Sequence, residues 1–136
     1  MNLQLLIPLA FVFLPDAATA GDDYKCTVER IHASDEDSAD YLLSKKAYVG
    51  SDFTVDRASG LMVGPLKNSF ATKPEVIDRG SKDNSFKVVT TLKLGQGMGR
   101  GSNVYTLVID EFVDESKKPF AFMENSIVFF GHCMHF

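Results

Sequence analysis

The chain has 136 residues, 45% of them hydrophobic, and carries 14 Lys+Arg against 18 Asp+Glu for a net charge of −4 at neutral pH. That is one domain's length, with enough apolar content for a real core. The acidic balance argues against a nucleic-acid partner, which demands a basic face to displace counterions, and against electrostatic attachment to anionic lipid.

Residues 1–20 read MNLQLLIPLAFVFLPDAATA. A largely apolar run from Leu3 to Leu14 is followed by Ala18-Thr19-Ala20, the small-x-small pattern accepted by a signal peptidase. The run is 12 residues long, whereas a membrane span needs about 20. It has no polar face of the kind a helix on a globular surface shows. We therefore expect a signal peptide over 1–20 and a single domain over 21–136. No cysteine follows the run to take a lipid, so no stable membrane anchor is expected after cleavage, and the destination is the periplasm or the exterior.

From there onward, strand signals dominate. Tyr24 to Glu29 alternates, with Tyr24, Cys26 and Val28 on one face and Lys25, Thr27 and Glu29 on the other. Ser34 to Ala47 breaks the period. Ser34 is a candidate N-cap followed by Asp35, Glu36 and Asp37, which suit the positive end of a helix dipole. Lys45 and Lys46 suit the other end, Gly50 offers a stop, and Ala39, Leu42, Leu43 and Ala47 form a modest apolar stripe.

Next, DFTVDR and LMVG flank Ala58-Ser59-Gly60 as a hairpin whose glycine sits where a short loop needs positive φ. Glu75 to Asp78 is a shorter strand candidate, followed by a polar turn without the spacing of a calcium loop. Ser85 to Leu94 alternates cleanly, with Phe86, Val88, Thr90, Leu92 and Leu94 opposite Lys87, Val89, Thr91 and Lys93. Gly95 to Gly101 has alternating glycines, a strand after it and no phosphate-loop lysine, so it reads as a flexible hairpin tip. Its Met98 and Arg100 are placed to touch a partner.

Asn103 to Val113 is long and apolar on both faces: Val104, Val108 and Phe112 on one, Tyr105, Leu107 and Ile109 on the other. Asp110 and Glu111 then point apart and do not form a carboxylate pair for acid/base work. A polar turn leads to Phe120-Ala121-Phe122, and Ser126 to Cys133 is the last strand, with Ile127 and Phe129 opposite Val128 and Phe130.

The chain closes on His132-Cys133-Met134-His135-Phe136, which could be a metal site, a reactive thiol or half of a disulfide. The two cysteines, Cys26 and Cys133, lie at opposite ends of the expected domain. In an exported protein an even count means pairing. A bridge also fits the strand pattern, because both cysteines fall on inward faces. The two histidines would lie on opposite faces of a strand, and the one other histidine is His32, so no metal site and no cofactor are expected. A mobile tail is the expectation for the last residues.

The expected fold is therefore mostly β: about eight antiparallel strands in a small barrel, or a sandwich. One short helix follows the first strand, and a disulfide joins the first and last strands. A bridge needs Cα atoms within about 7 Å, which makes those strands neighbours and would suit a closed meander. One apolar face of the later strands fills the core. The other, through Val104, Val108, Phe112, Val128 and Phe130, is covered either by the helix through Leu42 and Leu43 or the N-terminal loop, or by a protein partner or second copy.

The string FTVDRASGLMVG (53–64), with NSFKVV (84–89), Lys118-Pro119-Phe120 and Gly131-x-Cys133, resembles a set of small exported proteobacterial proteins with no assigned activity, which implies only localisation. Tyr24-x-Cys26, Ser59-Gly60 and the cysteine on the last strand are similar to the periplasmic inhibitors of c-type lysozyme, small eight-stranded barrels. That likeness implies an inhibitory role for Ser59. Those inhibitors carry a tyrosine soon after Ser-Gly and a Trp-x-Lys-Gly strand; here Leu61-Met62-Val63 stands in place, and the chain has no tryptophan. No nucleophile turn marks an enzyme. The expected function is a non-enzymatic binding domain; a lysozyme-inhibitor-like protein is the first alternative and a lipocalin-like carrier of hydrophobic ligands the second.

Overall fold

The computed structural model describes residues 22–68, 72–97 and 99–136. The expected signal peptide and Met98 lie outside the described residues. In chain order the elements are β1 (Tyr24–Ala33), α1 (Ala39–Tyr48), β2 (Asp52–Val55), β3 (Met62–Val63), β4 (Glu75–Arg79), β5 (Phe86–Leu92), β6 (Asn103–Ile109), β7 (Lys118–Glu124) and β8 (Ile127–His135). All strand pairs are antiparallel and form one eight-stranded sheet in the order β3-β2-β1-β8-β7-β6-β5-β4. The sheet curls into a half-barrel. First and last strands are neighbours as expected, yet they pair in the middle of the sheet. The seam falls elsewhere, between β3 and β4.

Cys26 and Cys133 are directly opposite each other in the β1–β8 register and form a disulfide with Cα atoms 3.9 Å apart. On either side, Tyr24 meets His135 and Val28 meets Gly131. Gly131 is required there: a Cβ would sit 1.9 Å from the Thr27 carbonyl oxygen and 2.8 Å from the Phe120 ring. The register then slips between Val28 and Arg30, a bulge at Glu29. Beyond it the inward position passes to Ile31, which is buried, while Arg30 and His32 face out.

The concave face carries the core, with Tyr24, Val28, Phe53, Val55, Phe86, Val88, Leu107, Ile109, Phe122 and Phe129 essentially inaccessible. The alternation read from β5, β6 and β8 therefore faces the way expected, except that Leu94 lies past the end of β5 and is exposed. Two side chains close the seam. Arg57, after β2, donates from Nε to the Arg79 carbonyl (2.9 Å) and from Nη2 to the Gly80 carbonyl (3.0 Å) at the end of β4. Buried Asn68 donates to the Gly60 carbonyl (2.8 Å) and accepts from the Met62 amide (2.9 Å), which holds Gly60, at φ 75°, against Val76 and Val88.

Three local expectations are corrected. The helix is capped by Ser38, whose hydroxyl accepts from the Tyr41 amide at 3.2 Å; Ser34 instead continues the β1 hydrogen bonding by donating to the Ser126 carbonyl. The apolar stripe is not Leu42 and Leu43, which are 56% and 67% exposed. Tyr41 and Tyr48 do that work, two turns apart: the Tyr41 hydroxyl donates to the Ile31 carbonyl, and Tyr48 packs edge-on to Phe129. The helix thus covers the concave side and leaves the convex side of the sheet without its cover. Finally, the last residues are not a loose tail, because β8 runs to His135 and the Phe136 amide donates to the Asp23 carbonyl.

Closing a loop with a sequence separation of 107 corresponds to about 4–5 kcal/mol in the chain-entropy treatment. Reduction is expected to lower the Tm by about 15 °C or more, and titration of the unfolded, unreduced protein should find no free thiol. The Thr90 hydroxyl is the buried side-chain polar atom that lacks a hydrogen-bond partner among the described residues. Thr90→Val should leave the fold intact and raise stability by about 1 kcal/mol, measured by urea unfolding.

Candidate functional site

The convex face is built by register. Val108 on β6 lies opposite Ala121 on β7, Ala121 opposite Phe130 on β8, and Phe130 opposite Arg30 on β1. One row along, Thr106 meets Met123, Met123 meets Val128, and Val128 meets His32. Because side chains alternate along each strand, all of these point away from the core. Arg30 lies with its guanidinium carbon 4.8 Å from the centre of the Phe130 ring, and His32 approaches the same ring edge-on at 6.0 Å. A shallow depression of about 410 Å³ is lined by Arg30, Val108, Pro119, Ala121, Phe130 and His132 among others.

Of the expected partner-binding residues, Val108, Val128 and Phe130 are gathered on this face, half-buried, and Val104 lies along it at 38% exposure. Phe112 is not part of it. β6 ends at Ile109, and Asp110 to Val113 forms a turn in which the Val113 amide donates to the Asp110 carbonyl, so the alternation that assigned Phe112 has stopped. Arg100 is exposed in the glycine-rich loop between β5 and β6. Ser59 is exposed at the β2–β3 turn, where its hydroxyl donates to Asp56 (2.7 Å) and accepts from the Leu61 amide (3.2 Å).

The sequence reading missed a polar cluster at one end of the half-barrel. The Tyr24 hydroxyl donates to Glu111 Oε2 at 2.9 Å, and His135 Nε2 lies 2.9 Å from Glu111 Oε1 and 3.2 Å from Oε2. The Arg57 guanidinium sits over the Tyr24 ring at 5.7 Å. Burial, and then the hydrogen bond to the Glu111 carboxylate, push the Tyr24 hydroxyl well above the usual phenol range. Burial also opposes ionisation of Glu111, but bonds from His135 and Tyr24, with the charges of His135 and Arg57, outweigh it and hold its pKa below the ordinary value. Tyr24 is fully buried, Glu111 and His135 are partly exposed, and the cluster joins the start of β1, the turn after β6 and the end of β8. One signal for it was present: a Cys26–Cys133 bridge between antiparallel strands puts Tyr24 beside His135. Nothing in the sequence placed Glu111 there, although it does diverge from Asp110, which accepts from Ser85 on the other side.

Each of the three histidines meets its own carboxylate: His32 with Glu36, His132 with Glu29 and His135 with Glu111, all at 2.9 Å. His132 and His135 leave opposite faces of β8. No group of three or more metal-ligating side chains is assembled among the described residues.

At the other end, a depression of about 400 Å³ between α1 and the β7–β8 turn is lined by Ser38, Asp40, Ser44, Tyr48, Glu124 and Ile127 among others. Burial raises the Glu124 carboxyl pKa. Its protonated form is therefore favoured by folding, so that its contribution to stability is present below the usual carboxylate range and is lost as pH rises through the raised folded value. Glu124→Gln should raise the Tm at neutral pH and flatten the fall in Tm between about pH 4 and pH 7, checked by thermal unfolding at both ends of that range. Compared with known proteins, the chain matches no family model, no curated protein and no solved structure.

Proposed function

We propose that this chain is an exported, non-enzymatic binding domain that engages a protein partner through the convex face of its half-barrel. The observation that carries the reading is the continuous row Val108–Ala121–Phe130, ended by Arg30, on a face that neither the core nor α1 uses. A completed core lies on the opposite side, so these side chains are not needed to fill it. Burying side chains of this size is worth about 1.5–3 kcal/mol each. An aromatic ring stacked under arginine is a common anchor of protein interfaces.

Export is supported by the disulfide between Cys26 and Cys133 and by the signal-peptide pattern of residues 1–20. No helix among the described residues is long and apolar enough to cross a membrane. Against a carrier of hydrophobic ligands stands the concave side, where Tyr24, Phe53, Phe86, Phe122 and Phe129 already occupy the space such a ligand would need. Against an inhibitory serine stands the use of the Ser59 hydroxyl within its own turn.

Phe130→Asp should leave the Tm nearly unchanged, since the ring lies outside the core, and should abolish association. Sedimentation of the purified protein reads binding to a second copy, and capture from periplasmic extract reads binding to a different protein. Identical sedimentation and identical capture for the wild type and Phe130→Asp would rule the convex face out as the binding surface.

A further inference from the structure

We propose that the partner on the convex face is a second copy of this chain, related to the first by a two-fold axis running parallel to the strands between β7 and β8. Given that the convex face is the binding surface, its own side chains name the occupant. The row across it is uneven in size. Ala121 is the smallest member and stands between Val108 and Phe130, and Phe130 is the bulkiest apolar one. Both are half-buried and line the same shallow depression.

The row is also uneven in charge. Arg30, exposed, ends it on β1. Asp110 follows the end of β6, two residues after Val108, and lines the same depression as Arg30. Its amide donates to the Pro119 carbonyl, and one carboxylate oxygen accepts from the Ser85 hydroxyl at 3.0 Å, which holds it at that edge. A carboxylate has lone pairs for further donors. Arg30 and Asp110 are three strands apart, about 14 Å, too far to meet within one chain. Among the described residues neither has an ion-pair partner, whereas Glu29 has His132 and His32 has Glu36. Two opposite charges therefore stand unpaired on either side of an apolar centre.

Two identical sheets that face each other are related by an axis lying in the plane between them, and aligned packing leaves it two directions. An axis along the row sets every strand on its own copy. Arg30 then meets Arg30 and Phe130 meets Phe130, so like charges and the bulkiest rings collide. An axis parallel to the strands exchanges β8 with β7 and β1 with β6. Phe130 of each copy then stands over Ala121 of the other. Arg30 of each copy comes over Val108 of the other, with Asp110 two residues along, about 7 Å away and within reach of an arginine side chain. Each contact occurs twice, as an isologous interface requires. The rings supply the burial, and the charge pairs at the rim select this direction over the other.

Sedimentation equilibrium of the purified protein over a concentration series is the test. The wild type should dimerise. Arg30→Asp and Asp110→Arg should each weaken self-association by about 30-fold or more, since every dimer then holds two like-charge contacts. An equimolar mixture of these two variants should regain association close to the wild type's, because opposite charges then meet at both contacts. Should Asp110→Arg fail to fold for want of its bond to Ser85, Asp110→Asn keeps an acceptor there and should still weaken the dimer about tenfold. An unchanged dimer in Arg30→Asp, or a mixture that stays monomeric, overturns the pairing. A wild type that is monomeric up to about 1 mM overturns the second copy. In that case the convex face stands as a surface for a different protein if Phe130→Asp loses capture from extract, and falls as well if capture is unchanged.

Discussion

The disulfide between Cys26 and Cys133 fixes more than a distance. Because the two cysteines are direct cross-strand partners, the bridge sets the register of β1 against β8 from Tyr24 to Val28, up to the bulge at Glu29. That register puts Tyr24 against His135 and brings Gly131 under the Thr27 carbonyl, where no larger residue fits. It also places the Glu29 bulge so that Ile31 returns to the core while Arg30 reaches Phe130 on the outside. The two blocks of the sheet, β1 to β3 and β4 to β8, are joined by strand pairing at β1–β8 and by side-chain contacts at the seam. The core, the seam and the convex face all take their positions from the β1–β8 pairing.

Much of the fold was legible because strand periodicity is local. The alternation in β5 and β6, the hairpin glycine at position 60 and the inward parity of both cysteines could be read residue by residue. What failed depended on context. Ser34 and Ser38 are equally good caps by composition; Ser34 was taken by the sheet through its bond to Ser126, and Asp35 turned the chain so that Ser38 could start the helix. Leu42 and Leu43 looked like the buried stripe because leucine is more hydrophobic than tyrosine. The helix instead needed side chains long enough to reach Ile31 and Phe129 across the open end of the half-barrel, and tyrosines at a seven-residue spacing supplied them.

The candidate site was legible only in part. Parity alone gave the outward set on β6 and β8, but the row exists as a surface because the register aligns it with Ala121 and Arg30, which carried no signal of their own. Phe112 failed for a local reason, since Asp110 and Glu111 end β6 and turn the chain two residues before it. The Tyr24–Glu111–His135 cluster was out of reach, because Glu111 comes to Tyr24 across 87 positions of sequence through the curl of the sheet. Sequence periodicity says which face a side chain takes, and only the curvature of the sheet says what that face meets.

The central position of the bridge has a mechanical consequence. The outer ends of β1 and β8 leave the sheet at the same corner, with the Phe136 amide bonded to the Asp23 carbonyl. A pull between these two ends meets the covalent link after the Tyr24–His135 and Lys25–Met134 pairs have separated. Every element between Cys26 and Cys133 is then shielded from tension and behaves as a closed ring. A domain hung from either end would extend by a few residues and no further, which makes it an inextensible knot in whatever it is tied to.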